Sequence, residues 1–176
     1  MNNNKIYVVF DIETTGLSPN LDKITEIGAV KIKDGTITEE YHQLIDPKVP
    51  IPRKITELTG ITSEMLEGKP TIEEVLPSFM NFCLDCEAVV AHNARFDMGF
   101  INHNATQQGL NCNFEVFDTL SLSRRLFPYL PNHKLGTVAR HLGVKIKDQH
   151  RATGDARATT EIFMHCMEIM EHKKKV

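Results

Sequence analysis

The chain predicts an α/β fold in which helices flank both faces of a mixed sheet, and three observations carry that prediction. An apolar strand opens the sequence, a hairpin signature follows at Asp34-Gly35, and from Thr71 onward helical and strand periodicities alternate. Residues 5 to 13 carry Tyr7 and Val9 on one face and Ile6, Val8, Phe10 and Ile12 on the other, the pattern of a central strand covered twice. Ile24 to Lys33 and Thr36 to Ile45 flank Asp34-Gly35, a strong short-range hairpin signal, so the sheet begins as an antiparallel meander of three strands. Asp46 to Pro70, with Pro47, Pro50, Pro52, Gly60 and Gly68, reads as an irregular arm holding a short helix near Arg53 to Leu58. A helix from Thr71 to about Leu84 leads into the apolar run Ala88 to Ala91, and a second helix starts near Arg95. A strand at Val116 to Asp118 follows, then helices to the end. Those two further strands complete the sheet. At 176 residues with 41% hydrophobic content, residues 1–176 suit one domain, and no repeat or low-complexity segment divides them.

Composition narrows the function classes. No stretch is long and apolar enough to cross a bilayer, and Met1 to Lys5 lack the apolar core of an export signal, so the expected compartment is cytoplasmic. Cys83 and Cys86 form a C-x-x-C pair, but no second pair accompanies it. Buried free thiols are therefore the better reading of the four cysteines than a zinc or redox site. The net charge of -3 is no objection to a nucleic-acid partner, because several acids counted in it are candidate metal ligands and two bound divalent cations would more than cancel it. Lys173-Lys174-Lys175 reads as a solvated tail or as favourable charge at a helix C-terminus. A monomer is favoured.

The chemistry starts at Asp11 and Glu13. Side chains two apart on a strand project from one face, so these carboxylates lie side by side at the end of an apolar strand. Such a pair repels and loses hydration unless a multivalent cation or a shared proton compensates it, and a metal is the simpler reading. Asp97 heads a helix stripe continued by Phe100, Ile101 and Ala105, and Asp155 heads another continued by Ala158, Ile162, Cys166 and Ile169. A lone Asp in a first helical turn is usually an interaction with the helix dipole. Two of them, added to a carboxylate pair at a strand end, point to one cluster facing the sheet. His150, five residues before Asp155, is placed to take a proton from water near neutral pH.

Three stretches carry a family resemblance: Phe10-Asp-Ile-Glu-Thr-Thr-Gly-Leu17, Ala91-His-Asn-Ala-Arg-Phe-Asp97 and His150-Arg-Ala-Thr-Gly-Asp155. They resemble, in order and spacing, the three exonuclease motifs of the DEDD superfamily, histidine subtype, which has the ribonuclease-H-like fold. Thr25-Glu-Ile-Gly-Ala-Val30 and Glu57-Leu-Thr-Gly-Ile-Thr62 are similar to further segments of that family. Within it, the chain looks like bacterial replicative proofreading domains, both the epsilon subunit of DNA polymerase III and the exonuclease domain built into Gram-positive-type polymerases. The resemblance implies that Asp11, Glu13 and Asp155 bind one Mg2+ or Mn2+ ion. It implies that Asp11 also bridges to a second ion, that Asp97 holds that ion through water, and that His150 is the base. The product implied is a 5′-mononucleotide from a 3′ end.

The same resemblance assigns substrate contacts to Thr14, Thr15 and Gly16 through backbone N–H groups, to Leu17 as an apolar wedge against the terminal base, and to Asn93. For Leu17, ordinary core packing is the competing reading. His92 is read as satisfying backbone groups at a strand end and Phe96 as core, while a phosphate contact from Arg95 stays open. The expected partner is nucleic acid, preferentially single-stranded DNA 3′ ends, with a DNA polymerase as a further partner. An exoribonuclease trimming RNA 3′ ends is the alternative, and a non-catalytic nucleic-acid-binding module is disfavoured by five intact catalytic positions. The epsilon subunit carries a polymerase-binding tail after this domain, whereas this chain stops soon after its last helix. Action alone, membership of something larger, and a partner docked on another surface all remain open.

Overall fold

A computed structural model of the chain describes residues 5–174. Met1 to Asn4, on which the absence of an export signal was read, lie outside the described residues, as does Lys175 of the basic end. Strands β1 (Ile6–Thr14), β2 (Ile24–Lys33), β3 (Thr36–Leu44), β4 (Ala88–Ala91) and β5 (Val116–Asp118) form one sheet in the order β3-β2-β1-β4-β5. The first three are the expected antiparallel meander; β4 and β5 add in parallel on the other side of β1. The hairpin turn places both Asp34 (φ 51°) and Gly35 (φ 77°) in the left-handed region, the backbone that a tight two-residue hairpin loop needs.

The helices are α1 (Arg53–Thr59), α2 (Ser63–Leu66), α3 (Ile72–Phe82), α4 (Ala94–Gln107), α5 (Thr119–Leu126), α6 (Leu135–Leu142) and α7 (Ala152–Lys174). The short α2 has no counterpart in the sequence reading. A Thr71–Glu74 capping box starts α3. Val8, Phe10 and Ile12 of β1 pack with Leu76 and Phe79 of α3 and with Phe100 and Ile101 of α4. On the opposite face, Tyr7 and Val9 pack with Val30, Ile32, Val90 and Phe163 of α7. That double cover is why β1 is apolar on both sides. A third cluster, with Phe127, Val138, Ala139 and Val144, seats α5 and α6 on Ala158, Ile162 and Cys166 of α7. All four cysteines are free thiols, Cys83 and Cys166 buried, and burial raises both thiols above the ordinary range. Among the described residues, no helix is long and apolar enough to cross a membrane.

One close approach fixes where α7 begins. A Cβ added at Gly28, in the middle of β2, would stand 2.3 Å from Thr153 N and 2.4 Å from the Ala152 carbonyl carbon. Glycine therefore lets the helix backbone lie directly on the strand. Gly28→Ala should lower unfolding free energy by about 1–3 kcal/mol, the usual range for forcing an extra methyl into a filled contact. Urea unfolding tests this, and an unchanged midpoint would show that the contact relaxes freely.

Candidate active site

Four carboxylates gather where β1 runs out past β4. The β1–β4 pairing ends at Val9 with Val90, so the N–H of Ile12 has no strand partner there; it donates to Asp97 Oδ1 at 3.2 Å. Asp97, 3% exposed in the first turn of α4, is thus both a structural acceptor and part of the acidic group. Asp11 and Glu13 are partly exposed and Asp155, in the first turn of α7, is buried. Ligand oxygens from these three lie within 4.8 Å of one another. Asp155 Oδ2 accepts from the His150 N–H at 3.1 Å, whereas its buried Oδ1 has no hydrogen-bond partner. His150 sits in the loop before α7 with a left-handed backbone (φ 62°), a conformation that histidine tolerates better than most residues. The structure thus unites Asp11, Glu13 and Asp155 closely, with Asp97 beside Asp11 and His150 tied to Asp155.

The electrostatics follow from crowding acids out of water. Burial first, then Asp97, Glu13 and Asp155, drives the Asp11 carboxyl well above its ordinary value. Glu13 is pushed up to about 8 by burial and then by Asp155, Glu26 and Asp97. Asp97 reaches about 8 through burial, against the pull of its backbone hydrogen bonds. Burial also raises Asp155, against the N–H and the charge of His150. Clustered hard oxygen donors, one of them an unpartnered buried oxygen, fit a divalent cation such as Mg2+, Mn2+ or Ca2+, which would favour the ionised forms.

Glu26 was not singled out from the sequence, yet it organises one wall of the site. It lies opposite Glu13 in the β1–β2 ladder, so the two acids share a face, and like charges so placed repel. Glu26 is 1% exposed and is held by Arg151 Nη2 at 2.8 Å, Arg151 Nε at 3.1 Å, the Ala152 N–H at 3.0 Å and His42 Nε2 at 2.7 Å. Burial pushes its carboxyl up, but those bonds outweigh burial and hold it below its usual value. Only the strand register reveals this role. Asp118 was likewise read only as part of a strand: its Oδ1 accepts from the N–H groups of Asn93 (2.9 Å), Ala94 (3.3 Å) and Leu120 (3.0 Å), joining the starts of α4 and α5.

The residues assigned to substrate contact divide. The Thr15 N–H donates to Lys23 O at 2.8 Å and its hydroxyl accepts from the Lys23 N–H, so Thr15 holds the loop with its backbone donor engaged. Thr14 is buried and its hydroxyl donates to Gly16 O at 2.6 Å. A Cβ on Gly16 would meet the Asp22 carboxylate at 2.4 Å, so this turn is tightly wrapped. Leu17 is 84% exposed, which removes core packing as its explanation. It lines an open depression with Pro19, Asn93, Arg95, Phe96 and Gly99. Asn93 is exposed in a left-handed conformation (φ 68°), and Arg95 is exposed. Phe96 both lines the depression and packs on Phe100, with ring centroids 5.2 Å apart. His92 has both ring nitrogens engaged, Nδ1 with Thr119 Oγ1 and Nε2 with the His133 carbonyl, each at 2.9 Å.

A family model described as an exonuclease, RNase T, matches residues 8–163, nearly the whole chain. The chain belongs to this exonuclease family. It is 51% identical over 170 residues to DNA polymerase III PolC-type of Clostridium perfringens, covering 97% of the chain and 12% of that protein. It is 47% identical over 166 residues to DNA polymerase III PolC-type of Thermotoga maritima, covering 94% of the chain and again 12% of that protein. The chain thus spans about an eighth of the length of these relatives. Among solved structures, exonuclease X in complex with 5′ overhanging duplex DNA is similar at a TM-score of 0.76 and 28% identity, covering 93% of this chain and 92% of that one. Escherichia coli exonuclease I in complex with a dT13 oligonucleotide shares the fold at a TM-score of 0.79 and 18% identity, covering 93% of this chain and 40% of that one.

The raised carboxyls set a direction for stability without metal. An acid whose folded pKa lies above its unfolded value binds its proton more tightly when folded, so its stabilising contribution is complete below the unfolded pKa and is lost as pH rises through the folded one. For Glu13 and Asp97 that window runs from their ordinary values of 4.5 and 3.8 to about 8. In EDTA the melting temperature should therefore fall from pH 5 to pH 8.5, and a divalent cation should reverse the loss at the upper end. A melting curve that rises over this range, or ignores added cation, contradicts the cluster as described.

Proposed function

We propose that the chain acts as one exonuclease domain that removes 5′-mononucleotides from single-stranded or frayed DNA 3′ ends, in proofreading or repair. The observation that carries this reading is the convergence of Asp11, Glu13 and Asp155 within 4.8 Å beside His150, in a chain of the exonuclease family. Identity to the PolC-type relatives favours DNA over RNA, and a replicative polymerase as partner. With that role, a monomeric domain in the cytoplasm is the corresponding cellular form.

Asp11, Glu13 and Asp155 would hold one Mg2+ or Mn2+ ion, and Asp97 with Asp11 a second. When bound, such ions supply charge neutralisation at the scissile phosphate and at the oxygen that departs. His150 takes the proton of the attacking water. The new bond joins that water oxygen to phosphorus and the P–O3′ bond breaks; the departing oxygen takes a proton from solvent, leaving a 3′-hydroxyl on the shortened strand and the 5′-phosphate on the released nucleotide. Leu17, exposed beside Asn93 and Phe96, presses on the terminal base without a hydrogen-bond code, so sequence preference is small. Gly16 and Asn93 flank the same end, and Thr14 and Thr15 act by holding the turn. A mismatched terminus has already lost pairing, so delivering it here requires less unstacking than delivering a matched one.

His150→Ala should lower turnover about 10²–10⁴-fold, the range for losing a general base, with cation affinity largely kept. Asp155→Asn should weaken cation affinity as well as turnover. Calorimetric Mg2+ or Mn2+ titration beside single-turnover kinetics separates the two, and near-parental turnover in His150→Ala would remove the assigned base.

The function itself is tested on a denaturing gel with 5′-labelled single-stranded DNA, matched and mismatched duplexes, and RNA of the same sequence. The expected result is a stepwise ladder from the 3′ end, fastest on single strands, faster on mismatched than on matched duplex, abolished by EDTA and restored by Mg2+ or Mn2+. RNA cut faster than DNA would transfer the chain to the exoribonuclease branch, and cuts in a circular strand would exclude exonuclease action.

A further inference from the structure

Residues 119 to 147 hold six of the chain's 20 Lys and Arg residues and none of its 23 Asp and Glu residues. The six are Arg124, Arg125, Lys134, Arg140, Lys145 and Lys147, and every one is exposed. Elsewhere the surface cations are often paired: Lys5 with Glu87, Lys48 with Asp46, Arg53 with Glu57 and Arg157 with Glu40. Among the described residues, none of the six enters an ion pair of this kind. In a chain whose net charge is -3, this tract thus carries six cations and no acid of its own.

The tract is packed on α7 and fastened to the rim of the acidic cluster. It begins after Asp118, whose carboxylate binds the Asn93 and Ala94 N–H groups. Its middle is held where the His133 carbonyl meets His92, and it ends just before Asp148-Gln149-His150. Leu122, Phe127, Val138 and Val144 pack toward Ala158 and Ile162 of α7, so the cations stand on a seated helix pair. Tyr129, 70% exposed, stands edge-on to the His141 ring at 5.6 Å and adds an aromatic surface. Lys145 and Lys147 share a cavity with Glu40, Asp148 and Glu161, so the cations of α5, α6 and their connecting loop are the less compensated.

We infer that this tract, α5 through the loop after α6, is a docking surface for the sugar-phosphate backbone of the strand whose 3′ end lies at the carboxylates. Positive charge beside an aromatic ring is the combination that tracks a single strand without reading sequence. The acids that catalyse cleavage repel a polyanion, and a cationic surface bound to their rim supplies the missing attraction. This inference rests on the nucleic-acid reading above.

The test is fluorescence anisotropy with a labelled 20-nucleotide single strand, in Ca2+, at several NaCl concentrations, with a gel verifying that the strand stays intact. Two triple variants are compared with the parent: Arg124→Gln/Arg125→Gln/Lys134→Gln and Arg140→Gln/Lys145→Gln/Lys147→Gln. A third, Lys33→Gln/Lys54→Gln/Lys69→Gln, removes equal charge from exposed lysines elsewhere. Circular dichroism melting establishes that each is folded. At least one tract variant should raise Kd about tenfold and flatten the log–log salt slope by about 1 to 2, as expected when phosphate contacts are lost, with the third variant within about twofold of the parent. The inference is overturned if neither tract variant does so, or if the third variant weakens binding as much. It is overturned equally if polyglutamate at matched charge competes as well as unlabelled oligonucleotide. Binding is read without turnover, so an inactive protein that binds through the tract would defeat the proposed reaction and leave the docking surface standing.

Discussion

Everything in this molecule is arranged around holding four like-charged groups together where water is scarce. Repulsion and lost hydration both oppose that arrangement, so the acids must sit on elements that the rest of the core already fixes. Asp11 and Glu13 end the strand that is covered on both faces, and Asp97 and Asp155 open the two helices whose apolar stripes pack onto the sheet and its flanking helices. Two backbone donors, Ile12 N–H and His150 N–H, are spent on Asp97 and Asp155, one from the strand and one from the loop before α7. The apolar clusters supply the stabilisation that the acidic end lacks. A divalent cation would complete an arrangement that the fold alone holds against its own electrostatics.

The other half of that scaffold is the Glu26–Arg151 contact. It neutralises an acid that faces Glu13 across the ladder, and it uses the neutralising group to bind the start of α7. Arg151 stands next to His150 in the chain, so the same contact restrains the proposed base. Pairing Glu26 with Arg151 leaves the carboxylates that meet at β1 and α7 as the group able to hold a cation. It also explains how two glutamates directly opposite in the β1–β2 ladder can coexist: one is ion-paired and the other is left for the site.

The parts legible in the sequence were those written in local spacing. The Asp34-Gly35 turn, the two-faced β1 and the stripes behind Asp97 and Asp155 depend on neighbours a few residues away, and each stands where the pattern put it. The parts that were not legible depend on register or on distant backbone. Glu26 gains its meaning from facing Glu13 across a ladder and meeting Arg151 from the far end of the chain. Thr15 closes its N–H onto Lys23, a contact beyond the register shift at Glu13 and Thr14 that local spacing does not announce. Leu17 is apolar in either reading, so only its exposure could separate a wedge from core. The four-residue α2 is too short for any periodicity to announce it.

The contact of Gly28 with Ala152 and Thr153 joins β2 to a helix that is made more than a hundred residues later. During synthesis the meander can pair early, because its contacts are local, but the wall of the site has no partner until α7 emerges. A nascent chain on the ribosome therefore presents Asp11 and Glu13 without Asp155 and His150. The full acidic cluster is therefore assembled only at the end of translation of this segment, and no shorter nascent chain holds all four carboxylates together.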